Sequence, residues 1–104
     1  MAKYYCKTGE FETLVDAPCL EVATTMAMAR FIKSGKDAGI LIGLSEIGFG
    51  AHEDTQYASM IPLLRERGVA LPSDYELLEH IGKMIGRKAE DFDEESRRWF
   101  LEGQ

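Results

Sequence analysis

The chain has 104 residues, and its 45% hydrophobic content is enough for one small core but not for two. Its net charge of −6 opposes nucleic-acid binding, which depends on Lys and Arg side chains displacing condensed counterions. No stretch approaches the roughly 20 apolar residues of a membrane span, and Met1 to Tyr5 lacks the pattern of a secretory signal. We therefore expect a soluble, cytoplasmic protein with neither nucleic acid nor membrane as a partner.

The first predicted elements are two short strands joined by a glycine turn. Residues 3–7 and 11–16 are rich in aromatic and β-branched side chains, and Gly9 lies between them. The second run alternates with a period of two, as a strand with one buried face does. Leu14 is the one apolar residue on its outer face, which is otherwise charged.

A helix is predicted over residues 20–33, followed by Gly35 as its stop. This helix has apolar stripes on two opposite sides, and a helix of that kind is usually covered on both. We expect one stripe to lie on the sheet and the other to contact the C-terminal helices or another subunit. The first stripe consists of Leu20, Ala23, Ala27 and Phe31, and the second of Val22, Met26 and Ala29, with Ile32 as a candidate fourth member.

The second half of the chain predicts two more strands and then only helices. Residues 39–47 form a third strand, which its dense Ile and Leu content places in the centre of the sheet. Residues 55–58 form a short antiparallel fourth strand. Three helices follow, beginning near Ser59, at the capping sequence that starts with Ser73, and near Asp91.

These elements predict an α+β fold. The sheet is small and mostly antiparallel, with the element order strand, strand, helix, strand, strand, and the C-terminal helices pack over it. We expect residues 1–104 to form a single domain. Residues 1–58 supply its sheet and first helix, and residues 59–104 supply its helical part.

The loop after the third strand holds the densest group of reactive side chains. His52, Glu53 and Asp54 could bind a divalent metal ion, or act in acid/base chemistry with Glu46 or His80. The alternative is a solvated hairpin tip, because consecutive loop residues rarely converge on one ion and the HExxH spacing is absent.

No cofactor is predicted for this chain. The glycines near residue 49 match neither a dinucleotide-binding nor a Walker A pattern. Cys6 and Cys19 have neither CxxC nor zinc spacing, so we interpret them as small structural residues, with a redox or metal role as the alternative.

The sequence therefore predicts a non-enzymatic protein-interaction or oligomerisation module, which binds a protein partner or a second copy of itself. An aromatic C-terminal helix would not normally be left in water, and it adds to the candidate interface. The alternatives are a small metal-dependent or acid/base enzyme centred on residues 52–54, and an acidic inhibitor or nucleic-acid mimic that uses the acidic run 90–95. The candidate interface residues are Val22, Met26, Ala29, Trp99 and Phe100.

Overall fold

The computed structural model describes residues 1–102 and confirms the α+β class. These residues form a four-stranded antiparallel sheet and four α-helices. None of these helices combines the length and the apolar character that crossing a membrane requires. The elements are β1 (Ala2–Thr8), β2 (Phe11–Ala17), α1 (Leu20–Ser34), β3 (Leu41–Ser45), β4 (Gln56–Ser59), α2 (Ile61–Glu66), α3 (Asp74–Ile85) and α4 (Glu94–Glu102), with a 3₁₀ turn at Ala89–Asp91.

The chain divides into two compact units, one ending at Ala58 and the other beginning at Ser59. This boundary falls where the sequence separates a sheet-containing part from a helical part. That the two parts belong to one domain stays a prediction.

The sheet of the first unit has the strand order β2-β1-β3-β4, so β3 is an interior strand as predicted. β1 pairs antiparallel with both β2 and β3. The turn between β1 and β2 requires glycine, because Gly9 has a φ of +55°. A Cβ atom added to Gly9 would also lie 2.9 Å from the carbonyl oxygen of Asp37, in the segment that precedes β3.

Thr8 joins the same segment to the hairpin through hydrogen bonds, and no local pattern in the sequence predicts this role. Its buried hydroxyl donates a hydrogen bond to the carbonyl of Leu41 at 2.8 Å and accepts one from the backbone N–H of Gly39 at 3.0 Å. A buried hydroxyl costs free energy unless it is hydrogen-bonded, and here both its donor and its acceptor capacity are used.

Helix α1 has Cys19 as its N-cap residue and Gly35 as its C-cap residue, and Gly35 adopts the left-handed conformation with a φ of 71°. Its inward stripe packs against β1 and β2, and Phe31 contacts Phe11 edge to face with ring centroids 5.5 Å apart. Ala23 and Ala27 are buried on the same side. The first predicted stripe is therefore the core-facing side of α1.

The helices of the second unit begin close to the predicted positions. The Oγ of Ser73 accepts a hydrogen bond from the N–H of Glu76 at 3.3 Å, as the capping sequence predicts. Ser59 was expected from its position to be the N-cap residue of α2, but that residue is Met60. The Ser59 hydroxyl instead accepts from the N–H of Ile61 and donates to the carbonyl of Phe100, which joins the start of α2 to α4.

Candidate functional site

Asp54 organises the loop that joins β3 to β4. Its Oδ1 accepts a 2.6 Å hydrogen bond from the hydroxyl of Ser45, and its Oδ2 accepts a 2.8 Å bond from the N–H of Glu46. The Ser45 Oγ in turn accepts from the N–H of Ile47 at 3.0 Å. Both hydrogen bonds favour the charged carboxylate and therefore lower the pKa of Asp54. The bond from Ser45 has the larger effect, followed by the bond from the N–H of Glu46. Asp54 therefore closes the loop at the end of β3.

The imidazole of His52 is directed to the backbone of the same loop. Its Nε2 lies 3.1 Å from the carbonyl oxygen of Phe49, and its side chain is exposed. The backbone N–H of His52 donates to the Oγ1 of Thr55 at 2.9 Å, and the N–H of Thr55 donates to the carbonyl of His52 at 3.1 Å. These bonds form a compact turn on which Glu53 is exposed.

The loop does not gather its acidic and imidazole groups around one point. Among residues 1–102, no three His, Cys, Asp or Glu side chains lie close enough together to hold a metal ion. Glu46 and His80, the other candidates for chemistry, are exposed. Metal binding by residues 52–54 stays a prediction, and the hydrogen bonds of Asp54 favour a structural role for the loop.

Replacing Asp54 with asparagine is expected to loosen this loop, because the amide group cannot accept hydrogen bonds on both of its terminal atoms. Amide hydrogen exchange at Glu46 should become faster. The matched control Glu53→Gln changes an exposed neighbour and should leave this exchange rate unaltered.

The same carboxylate predicts a pH dependence. Because the pKa of Asp54 is lowered in the folded chain, its stabilising contribution is complete above the ordinary aspartate pKa of about 4 and is lost as the pH falls through the lowered value. An NMR titration of the Asp54 carboxyl carbon should give a midpoint below about 4. A midpoint at or above the ordinary value would contradict the hydrogen bonding described for this loop.

The two cysteines differ in their surroundings. Cys6 is buried, and burial raises the pKa of its thiol to about 11, so it stays protonated at neutral pH and is a poor nucleophile. Its Sγ lies 3.6 Å from the carbonyl of Tyr4. Cys19 is half-buried at the start of α1, with its Sγ 3.8 Å from a carboxylate oxygen of Glu21. These contacts agree with Cys6 as a structural residue.

The candidate interface residues on α1 lie on the side opposite its buried stripe. Val22 is 40% exposed, Ala29 is exposed and Met26 is half-buried. The described part of the chain therefore leaves much of this apolar stripe in contact with solvent.

The aromatic residues of α4 are divided between packing and exposure. Phe100 is half-buried and packs edge to face on Phe92, with ring centroids 5.7 Å apart. Trp99 packs on Phe100 at 4.8 Å and remains 42% exposed. Internal packing therefore accounts for Phe100, whereas Trp99 keeps free apolar surface.

A further apolar surface was not identified from the sequence. Phe49 packs edge to face on Tyr5 at 5.1 Å, on the sheet face that also carries Leu14. The isolated apolar Leu14 on a charged strand face is the one signal in the sequence that points to this surface, and Leu14 is 42% exposed.

Comparison of the chain with known protein families, with characterised proteins and with solved structures finds no match. The fold class does not define a function either, because small α+β scaffolds carry many unrelated ones. The features of the chain that bear on function are the chemistry of the loop and the exposed apolar surfaces.

Proposed function

We propose that the protein is a non-enzymatic interaction module that binds another protein through the outer stripe of α1. The observation that carries this proposal is the two-sided character of the helix. One stripe is buried around Phe31, while Val22, Met26 and Ala29 on the opposite side offer an apolar strip to solvent. An apolar strip of this kind gains free energy when a partner removes it from water.

The shape of the stripe favours a helix as the docking element. Ala29 is small, and the neighbouring Thr25 is short and exposed, so a second helix could approach α1 closely. The partner surface we expect is the apolar side of an amphipathic helix, because Val22 and Met26 supply only apolar contacts. Trp99 remains a second candidate contact, in the other unit of the chain.

The chemistry of the first unit supports a non-enzymatic role. The Asp54 carboxylate has both oxygens in hydrogen bonds that close its own loop, and the buried Cys6 thiol has a raised pKa. Asp54 is therefore held in a structural role at the end of β3, and a buried, protonated thiol is a poor nucleophile. We also propose a cytoplasmic location, where a free thiol such as Cys6 is kept reduced.

Site-specific photo-cross-linking tests this proposal. A photoreactive amino acid at Thr25, on the margin of the stripe, should give an adduct of one discrete mass in cells that express the full chain. The additional substitution Ala29→Glu should abolish that adduct, because it places a charge in an apolar contact. Circular dichroism would verify that the variant is folded.

The matched control carries the photoreactive group at Glu79, which is exposed on α3. It should not yield the adduct found at Thr25. The proposal would be wrong if both positions gave the same products, or if the adduct survived Ala29→Glu in a folded chain.

A further inference from the structure

The outer face of the hairpin, formed by alternate residues of β1 and β2, carries an ordered pattern of charge. The residues of β2 on this face are exposed, whereas Phe11 and Val15 on the other face are buried. The basic residues all belong to β1 and the acidic residues all belong to β2, with an apolar pair between them. The register pairs Lys3 with Asp16, Tyr5 with Leu14, and Lys7 with Glu12.

Cross-strand pairing within the hairpin accounts for part of this pattern and leaves part of it available to a partner. Lys7 and Glu12 form an ion pair at 3.0 Å, but both side chains are exposed, and exposed pairs contribute little to stability. Leu14 lies across from Tyr5 and between two acidic residues, and 42% of its surface stays exposed after the hairpin has folded, which leaves apolar area for a partner to cover. The arrangement combines an apolar centre with a charged margin, which is the usual composition of a protein interface.

The pattern is complementary to itself under one symmetry operation. A two-fold axis that runs along the strands, between β1 and β2, places β1 of one copy over β2 of the other. Lys3 then faces Asp16 of the second copy, and Tyr5 faces its Leu14. Lys7 likewise faces its Glu12. A two-fold axis across the strands would instead bring Lys3 over Lys7, which like-charge repulsion disfavours.

We infer that the outer face of the β1–β2 hairpin is a self-association surface, and that its occupant is a second copy of this chain in that two-fold arrangement. This surface lies on the opposite side of the hairpin from α1, because Phe31 of α1 contacts the inner-face residue Phe11. The inference therefore goes beyond the proposed docking of a partner on α1. Phe49, which packs on Tyr5, would extend the apolar contact along the edge of the partner hairpin.

Face-to-face contact is favoured over pairing between the edges of two β2 strands. In a hairpin closed by a two-residue turn, the carbonyl of Leu14 points away from β1, toward the open edge of the sheet. Arg30 of α1 donates a hydrogen bond to this carbonyl at 2.8 Å and another to the Oγ1 of Thr13 at 3.0 Å. Pairing of two edges would require breaking the bond to Leu14, so Arg30 protects this edge.

A charge-swap experiment on the full chain tests the inference. The first variant, Lys3→Glu with Lys7→Glu, has an entirely acidic hairpin face, and the second, Glu12→Lys with Asp16→Lys, has an entirely basic one. Sedimentation equilibrium should show that the wild-type chain dimerises and that each variant alone self-associates at least about tenfold more weakly. An equimolar mixture should restore dimers, and native mass spectrometry should identify them as heterodimers.

Two further variants keep the test decisive if the swapped charges prevent folding. Leu14→Thr retains a good strand-forming residue but removes the apolar centre, and it should weaken dimerisation about tenfold. Ala29→Glu alters α1 only and should leave dimerisation unchanged, which separates this inference from the proposed function. A monomeric wild-type chain would overturn the inference, as would dimers that withstand Leu14→Thr, a mixture that does not restore association, or loss of the dimer through Ala29→Glu.

Discussion

Replacing Gly82 with alanine is expected to lower the free energy of unfolding by about 3 kcal/mol. Gly82 is buried inside α3, and a Cβ atom built on it would lie only 2.0 Å from the carbonyl oxygen of Arg87. The chain turns back at Gly86 so that the N–H of Arg87 donates to the carbonyl of Gly82 at 2.8 Å. A methyl group at this position must therefore displace backbone rather than a flexible side chain.

Gly86→Ala is the matched control for this substitution. Gly86 has a φ of 78° but no atom within 4 Å of an added Cβ, so only the left-handed conformation is penalised, at about 1 kcal/mol. Urea unfolding followed through Trp99, the single tryptophan of the chain, measures both variants. A loss for Gly82→Ala no larger than that for Gly86→Ala would contradict the close approach at Arg87.

Replacing Phe31 with alanine is expected to destabilise the first unit by about 4 kcal/mol. Phe31 is 2% exposed and packs edge to face on Phe11, so truncation removes both buried apolar area and an aromatic contact. The resulting cavity lies between α1 and the hairpin. Urea unfolding monitored by circular dichroism measures the change in the free energy of unfolding.

Ile32→Ala provides the control on the same helix. Ile32 is 53% exposed, so its truncation should change the free energy of unfolding by less than about 0.5 kcal/mol. Equal losses at Phe31 and Ile32 would mean that α1 does not pack on the hairpin through the stripe described here.

Those parts of the fold that depend on neighbouring residues were predictable from the sequence. The hairpin follows from strand periodicity on either side of Gly9, and the start of α3 follows from the capping sequence at Ser73. The inward and outward stripes of α1 follow from the helical period. In each of these cases the relevant contacts lie within a few positions along the chain.

Contacts that join distant positions were not predictable in the same way. Thr8 reaches Gly39 and Leu41 across an entire helix, and no local pattern marks its hydroxyl as buried. Nothing in the sequence around Gly82 shows that the backbone at Arg87 returns to lie against it. These roles depend on how backbone segments approach each other, which periodicity does not encode.

The candidate site was likewise predictable from the sequence only in part. The composition of residues 52–54 suggested chemistry, but it did not reveal that Asp54 binds Ser45 and the N–H of Glu46 at the end of β3. The charge pattern of the hairpin was likewise hidden, because it emerges only when the register of β1 and β2 is known.

The position of α1 on one side of the hairpin has a consequence for valency. If two chains join through the opposite side, their two α1 stripes face away from each other on the outside of the pair. Such a dimer would bind two separate partner molecules, and it could not bind two adjacent helices of the same partner molecule. The dimer would then bind more tightly than a single chain only to partners that are clustered or repeated, since avidity requires both sites to be occupied at once.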